Sequence, residues 1–275
     1  MRAKDKYLRS AYGARKGYVI PPTQNCEFYG LVPGASLSRA IRPRGFSAMP
    51  PAAIAISRAF ARSVPPGVGA RPAEGIAALD HLGVVISLRR DEALFVPGDA
   101  ATSYFKVIKG AVRSCQLRAD GRRHIGQFFR AGDFIGLDAG ETYPVITEAV
   151  VETTLIRYSR RKVDALAAEQ PRVAQSLIEI MRAGLAAARE RMALLGHMTA
   201  MERIASFLLS AAEHHADGRI DLPMTRTDIG DYLGVTMETV SRALSQLKSD
   251  GVITQRNMHE LAIADRVALV ELTRS

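Results

Sequence analysis

Tryptophan is absent from this chain of 275 residues, and cysteine occurs only twice, at Cys26 and Cys115. Two thiols exclude a disulfide-stapled scaffold and cannot supply the four thiolates that an iron–sulfur cluster requires. No apolar run approaches the roughly 20 residues that cross a bilayer, and the first residues lack the pattern of a signal peptide. We therefore expect a cytoplasmic protein without a membrane segment.

Acidic residues are scarce in residues 1–75, which contain 3 Asp or Glu against 12 Lys or Arg and 9 of the 13 prolines. The rest of the chain contains 25 residues of each sign, so the net charge of +9 resides in this segment. Proline pairs and the lack of any apolar period predict a disordered or loosely ordered extension. We interpret it as an accessory extension, or as sequence upstream of an internal start at Met49; the alternative is an arm that contacts DNA phosphates.

Residues 225–251 contain two short helical patterns that meet at Gly234. Thr225 and Thr236 are the predicted N-caps, and Asp228 follows Thr225 in capping-box spacing. The second helix has an apolar side, which consists of Val240, Ala243, Leu244 and Leu247. A helix, a glycine turn and a second helix with a polar outer face predict a helix-turn-helix.

The polar face of the second helix presents Glu238, Ser241 and Arg242 at spacings i, i+3 and i+4. Arginine can donate to guanine O6 and N7, and glutamate can accept from cytosine N4, so these three are the predicted base-reading residues. The alternative is a solvated face with an ordinary Glu–Arg pair. Candidate contacts to the DNA backbone are Thr225, Arg226, Thr236, Thr239, Ser245 and Arg256.

Residues 76–160 alternate short β-type segments with glycine or aspartate turns, which predicts a small antiparallel barrel or jelly roll. The predicted strands are Val84–Leu88, Ala93–Val96, Tyr104–Ile108, Ala111–Leu117, Arg123–Phe129 and Glu148–Tyr158.

Residues 161–197 are predicted to leave the barrel and form a long helix that begins near Pro171. Apolar residues recur along it with alternating spacings of 3 and 4, which is typical of a helix that packs against its own copy. This predicted dimer seam consists of Ile178, Met181, Leu185, Ala188, Met192 and Leu195. The alternative is that the stripe is buried against the barrel.

Residues 198–275 are predicted to form a winged helix-turn-helix domain. An amphipathic helix over Ala200–His215 precedes the two helices described above. After them, Val252–Thr254 and Glu260–Ile263 predict a β-hairpin wing that carries Arg256, and Arg266–Leu272 predicts a closing helix.

One run of the second helix, preceded by Thr225–Gly230, resembles the DNA-binding signature of Crp/Fnr-type regulators: Glu238-Thr239-Val240-Ser241-Arg242. With Ser241 in this run, it is similar to the Fnr and FixK-type branches. Gly98-Asp99 and the run Gly132–Gly136 look like turns of the cyclic-nucleotide-binding barrel. The resemblance covers roughly residues 80–270. It implies an α+β fold: a cyclic-nucleotide-binding-like β-barrel, a dimerisation helix and a C-terminal winged helix-turn-helix.

The same resemblance implies a homodimer that binds double-stranded DNA at a TTGA and TCAA inverted repeat. It further implies an activator that contacts RNA polymerase and controls microaerobic, respiratory or nitrogen-fixation genes. The cysteine cluster of Fnr-type sensors is not matched, because Arg157 stands where its remaining cysteine is expected.

Cationic residues are missing between Arg130 and Arg157, where nucleotide-binding relatives carry an arginine for the phosphate. Carboxylates in that interval would repel a phosphate, so we expect no cyclic nucleotide. We also expect neither a cofactor nor a metal, because the histidines have no cysteine or carboxylate partners at ligand spacing. The alternative is a regulator whose barrel senses haem or a small molecule, with His81 or His124 as the haem ligand. No catalytic motif was found, so an enzyme is not expected.

Overall fold

The computed structural model describes residues 74–118, 121–213 and 218–273. Nearly all of the predicted basic extension, including Cys26 and Met49, lies outside the described residues. Every described residue belongs to one compact unit. Among the described helices, none combines the length and the apolar character that a membrane span requires.

Two four-stranded antiparallel sheets form the N-terminal β domain. A short helix α1 (Glu74–Ala77) and a 3-10 turn (Asp80–Leu82) precede the strands. The strands are β1 (Gly83–Leu88), β2 (Ala93–Phe95), β3 (Ser103–Lys109), β4 (Ala111–Leu117), β5 (Arg123–Arg130), β6 (Phe134–Ile135), β7 (Ile146–Ala149) and β8 (Thr153–Ser159). One sheet has the order β1-β8-β3-β6 and the other β2-β7-β4-β5. The predicted jelly-roll class is confirmed as two sheets around a core that includes Val107, Val112 and Leu155.

The predicted single strand Glu148–Tyr158 was wrong, because the chain changes sheets within it. Strand β7 pairs with β4, whereas β8 pairs with β1 and β3. The Thr153 hydroxyl accepts a hydrogen bond from the Ala111 N–H and donates one to the Ala111 carbonyl. These bonds satisfy backbone groups where the ladder is interrupted, and the alternation of side chains along the sequence does not reveal such a crossing.

Two helices follow the β domain, although only the second was predicted. Helix α2 (Arg160–Glu169) occupies most of the segment that was expected to be a connection. Helix α3 (Pro171–His197) begins with proline at its first position, as predicted, and continues through Gly196. Val173 and Leu177 of α3 are buried against α1, α2 and the β domain.

The C-terminal domain contains a three-stranded sheet and four helices. These are α4 (Ala200–Ala212), β9 (Arg219–Asp221), α5 (Arg226–Leu233), α6 (Met237–Ser249), β10 (Ile253–Gln255), β11 (Glu260–Ile263) and α7 (Arg266–Glu271). The predicted wing hairpin and closing helix are confirmed. Strand β9 was missed, since three residues are too short to show a period, but it pairs with β11.

A buried carboxyl group in the β domain gives the fold a pH dependence. Burial raises the pKa of Asp133 to about 6, although the Arg130 N–H donates to its carboxylate. A folded state with a raised acid pKa holds its proton more tightly than the unfolded chain does. The stability that this contributes is therefore present below about pH 4 and is lost as the pH rises through about 6.

We expect Asp133→Asn to flatten the dependence of the free energy of unfolding on pH between about 4 and 6, because the amide cannot ionise. Chemical denaturation across this range measures the effect. Asp138→Asn, at an exposed carboxylate of the same segment, is the matched control and should leave the curve unchanged. Parallel curves for the wild type and Asp133→Asn would contradict the prediction.

Candidate nucleic-acid interface

The first helix of the predicted helix-turn-helix begins at a complete capping box. The Asp228 N–H donates to Thr225 Oγ1 at 3.1 Å, and the Thr225 N–H donates to Asp228 Oδ2 at 3.0 Å. Two N–H groups at the start of α5 are thereby satisfied, as the Thr-x-x-Asp spacing predicted. Asp228 is 2% exposed, so this cap lies inside the protein rather than on its surface.

The turn between the two helices depends on two glycines. Gly234 ends α5 in the left-handed region, with φ 68° and ψ 35°, which favours glycine because it has no Cβ. At Gly230, a Cβ would lie 2.7 Å from the Val235 carbonyl oxygen. The close approach of α5 to the start of α6 therefore requires glycine at this position.

Helix α6 buries its predicted apolar side. Thr236 caps it by accepting from the Thr239 N–H at 3.2 Å, which confirms the predicted N-cap. Val240, Ala243, Leu244 and Leu247 are buried in one cluster with Ile229 and Leu233 of α5. This packing leaves the opposite side of α6 facing outward.

The outward side carries the three predicted base-reading residues. Glu238 and Arg242 are exposed, and Ser241 between them is half-buried. The pKa of Glu238 lies below its ordinary value, because its own backbone N–H and the Thr236 side chain donate to the carboxylate and Arg242 is nearby. An ionised carboxylate beside a guanidinium presents a hydrogen-bond acceptor and a forked donor on one helix face.

Arg226 of α5 contacts this face of α6, and the sequence did not predict that contact. Its Nη1 donates to Ser241 Oγ at 3.2 Å, so the first residue of α5 touches the middle of the recognition face. Ser241 Oγ also lies 3.6 Å from the Met237 sulfur. The pairing follows from the close approach of α5 and α6 and leaves no trace in sequence spacing.

The other candidate DNA-backbone residues lie in three places around the same face. Thr225 is half-buried in the α5 cap, while Thr236 and Thr239 are joined at the start of α6 by contact between their hydroxyl groups. Ser245 is exposed one turn beyond Ser241 and donates to its carbonyl at 2.9 Å. Arg256 is exposed in the turn of the β10–β11 wing.

Two further arginines, which sequence reasoning missed, hold the helix-turn-helix in place. The Arg191 guanidinium lies 3.9 Å above the Tyr232 ring and donates to the Tyr232 carbonyl at 2.8 Å. Arg203 donates to the carbonyls of Leu195 and Leu233, each at 3.0 Å. These contacts join the end of α3 to α5 across a wide separation in sequence.

The β domain contains three candidate ligand or nucleophile residues: Cys115, His81 and His124. Burial, together with the nearby Glu148, raises the pKa of the Cys115 thiol to about 12, so this thiol is a poor nucleophile. His81 is exposed, whereas His124 is half-buried. Within the described residues, no group of three or more His, Cys, Asp or Glu side chains is arranged to hold a metal ion.

Comparison with known proteins identifies both domains. Residues 85–170 match the family described as "Cyclic nucleotide-binding domain", and residues 202–272 match the "Crp-like helix-turn-helix domain". The "Nitrogen fixation regulation protein FixK" of Azorhizobium caulinodans is 38% identical over 219 residues, which is 78% of this chain and 87% of that protein. The "Transcriptional activator protein FnrL" of Cereibacter sphaeroides is 32% identical over 207 residues, 72% of this chain and 84% of that protein.

A solved structure shows the same similarity. FixK2 from Bradyrhizobium japonicum superimposes with a TM-score of 0.67 and 39% identity, over 69% of this chain and 96% of that one.

We expect Arg242→Ala to relax base preference at a guanine of each half-site and to cost about 1–3 kcal/mol of binding free energy. Arg256→Ala is the matched control, because an exposed wing arginine that only touches phosphate should weaken all sequences alike. Selection from a randomised DNA pool measures both variants. Uniform loss with Arg242→Ala, and retained guanine preference, would contradict the assignment.

Proposed function

This chain is a DNA-binding transcription regulator of the Crp/Fnr family, and from this premise we propose that it binds an inverted repeat as a homodimer. Two-fold symmetry would place the two α6 helices in successive major grooves, about 34 Å apart. The half-sites proposed from the Fnr and FixK-type resemblance are TTGA and TCAA. Glu238, Ser241 and Arg242 would read their bases.

The observation that carries this proposal is the construction of the recognition face. The side of α6 toward α5 is buried, while Glu238 and Arg242 project from the other side. A helix that exposes an acceptor and a forked donor on one face suits base edges in a major groove. A merely solvated face would not need Arg226 to hold Ser241 from the neighbouring helix.

Dimerisation is supported by the exposure of the predicted seam on α3. Ile178, Met181, Leu185 and Met192 are 41%, 44%, 53% and 74% exposed, so the alternative in which they pack against the β domain is wrong. Ala188 is exposed and Leu195 half-buried along the same line. A row of apolar side chains at heptad spacing is best covered by a second copy of the same helix.

The β domain does not suit a cyclic nucleotide, and we propose that DNA binding requires no such effector. No lysine or arginine lies between Arg130 and Arg157, whereas Asp133 is buried in that interval. Aromatic rings fill part of the core: the Phe95 and Tyr143 rings stack with centroids 3.7 Å apart. The Tyr143 hydroxyl donates to the Ser103 carbonyl at 2.6 Å, which fixes the ring inside.

The biological setting is proposed from the relatives. The names of FixK and FnrL assign those proteins to nitrogen-fixation regulation and transcriptional activation. We accordingly propose a cytoplasmic activator of nitrogen-fixation, microaerobic or respiratory genes, without enzymatic activity, that contacts RNA polymerase. The second candidate is a regulator gated by haem or another small molecule. No specific observation favours it, because the sequence spacing singles out neither His81 nor His124 as a ligand.

Binding without an effector is tested with purified full-length protein and a randomised double-stranded pool. We expect recovery of the inverted repeat without added ligand, and no change in DNA affinity when cyclic AMP is added. Isothermal calorimetry checks for cyclic AMP binding directly. Micromolar binding that alters DNA affinity, or an absorption band of bound haem in the active protein, would contradict effector independence.

Replacing Leu185 with Glu tests the dimer. The substitution would bury one charge from each copy in an apolar seam, at a steep desolvation cost, so sedimentation should show monomers. Ala186→Glu is the matched control: it adds the same charge at the next, exposed residue outside the seam and should leave the dimer intact. A Leu185→Glu variant that sediments as a dimer would show that the copies meet elsewhere.

A further inference from the structure

A cluster of charges, with Arg113, Glu148 and Asp228 buried at its centre, joins the β domain to the first helix of the helix-turn-helix. Arg113 of β4 is 5% exposed and contacts three carboxylates. Its Nε lies 2.8 Å from Glu148, its Nη2 2.8 Å from Asp91 and its Nη1 3.2 Å from Asp228. The guanidinium of β4 thus contacts the turn between β1 and β2, strand β7 and helix α5.

Arg123 of β5 forms the second half of the cluster. Its Nη2 donates to Asp228, and its Nε donates to Asp231, one turn further along α5, at 3.0 Å. Its Nη1 lies 3.7 Å from Glu148. Both arginines therefore bridge Glu148, which belongs to the β domain, and Asp228, which belongs to the DNA-binding domain.

The carboxylate of Asp228 serves both the cap of α5 and the two arginines. Oδ2 accepts from the Thr225 N–H and hydroxyl, which completes the cap of α5. Oδ1 accepts from Arg113 and Arg123, and Arg113 Nη1 also donates to Oδ2 at 3.2 Å. A capping box alone needs only one oxygen, so the arginine contacts are an addition that the cap does not explain.

The charge state of Asp228 agrees with this geometry. Burial alone would raise its pKa, but Arg113, the hydrogen bonds from Thr225 and the charge of Arg123 hold the pKa below its ordinary value. The carboxylate is thus ionised while 2% exposed. A buried charge requires its partners in place, so α5 is held where both guanidiniums can reach it.

A second, largely apolar contact lies beside the charged one. The Phe128 ring of β5 meets the Tyr232 ring of α5 with centroids 5.1 Å apart, and Arg191 covers the same ring. We expect this contact to keep the domains adjacent in variants that lack the charges. The apolar contact is less directional, so the charged cluster is the part that specifies orientation.

We propose that Arg113 and Arg123 are positioning residues for DNA binding: through Asp228 they set the orientation of α5, and hence the separation of the two recognition helices in the dimer. The proposal rests on the proposed function as a dimeric DNA-binding protein. Both arginines contact α5, whereas the predicted base-reading residues lie on α6. Their effect is expected on the spacing between half-sites and not on the bases within one.

The test uses the full chain and a set of inverted repeats that share half-sites but differ in spacer length by one or two base pairs. Wild type should prefer one spacer. Arg123→Gln and Asp228→Asn should reduce that preference by about threefold to tenfold, while base preference within each half-site is unchanged. The amide oxygen of Asn can still cap α5, but its NH2 group would face the arginines.

Matched variants separate positioning from folding. Arg118→Gln removes the same charge from an exposed position on the β4–β5 hairpin and should retain the spacer preference. Arg123→Lys, which keeps the charge but not the fork, should recover part of it. Arg113→Gln is the most buried change, so its spacer preference counts as a test only if its thermal unfolding remains cooperative. If it does not, the spacer preference of Arg123→Gln, at the edge of the cluster, decides the proposal.

Two other outcomes are distinguishable. Equal loss of affinity at every spacer, with the wild-type preference retained, would overturn the positioning proposal and leave DNA recognition intact. Wild-type protein that selects no inverted repeat at all would instead refute the proposed function on which this inference depends, and would overturn both.

Discussion

The arrangement of the two domains depends on the hydrogen bonds and ion pairs of the Asp228 carboxylate. This carboxylate accepts from Thr225 in the cap of α5, and it accepts from the guanidiniums of β4 and β5. Removing one partner from a buried ion cluster costs about 3–5 kcal/mol, because the remaining charge is left without compensation. The cap of the helix and its attachment to the β domain therefore share one side chain.

The surfaces of the C-terminal half divide between support and recognition. Beneath the helix-turn-helix, Arg191, Arg203 and Tyr232 tie α5 to α3 and to the β domain. On the polar face of α6, the bond from Arg226 to Ser241 is the tie to another helix that the described residues show. This division suits a protein that must hold its reading residues rigidly and still present them to a partner, since loosely held side chains pay an ordering cost on binding.

The proposal for the β domain separates its fold from its ligand chemistry. Residues 85–170 match a cyclic nucleotide-binding domain. Its interior is packed around stacked aromatic rings and a buried aspartate, and the interval between Arg130 and Arg157 has no cation. Fold and function are separate properties. One of its sheets supplies the arginines that meet α5, so we propose that the domain serves the DNA-binding half as a scaffold.

The sequence by itself determined the local features: the caps at Thr225 and Thr236, the apolar side of α6 and the wing hairpin, because each depends on residues a few positions apart. It also indicated the polar recognition face. The tertiary structure alone decided that β7 and β8 lie in different sheets, that Arg226 meets Ser241, and that Arg113 and Arg123 meet Asp228 over a hundred residues away. Periodicity records which side of an element is apolar. Pairings between charged side chains on distant elements follow from packing, which no local spacing encodes.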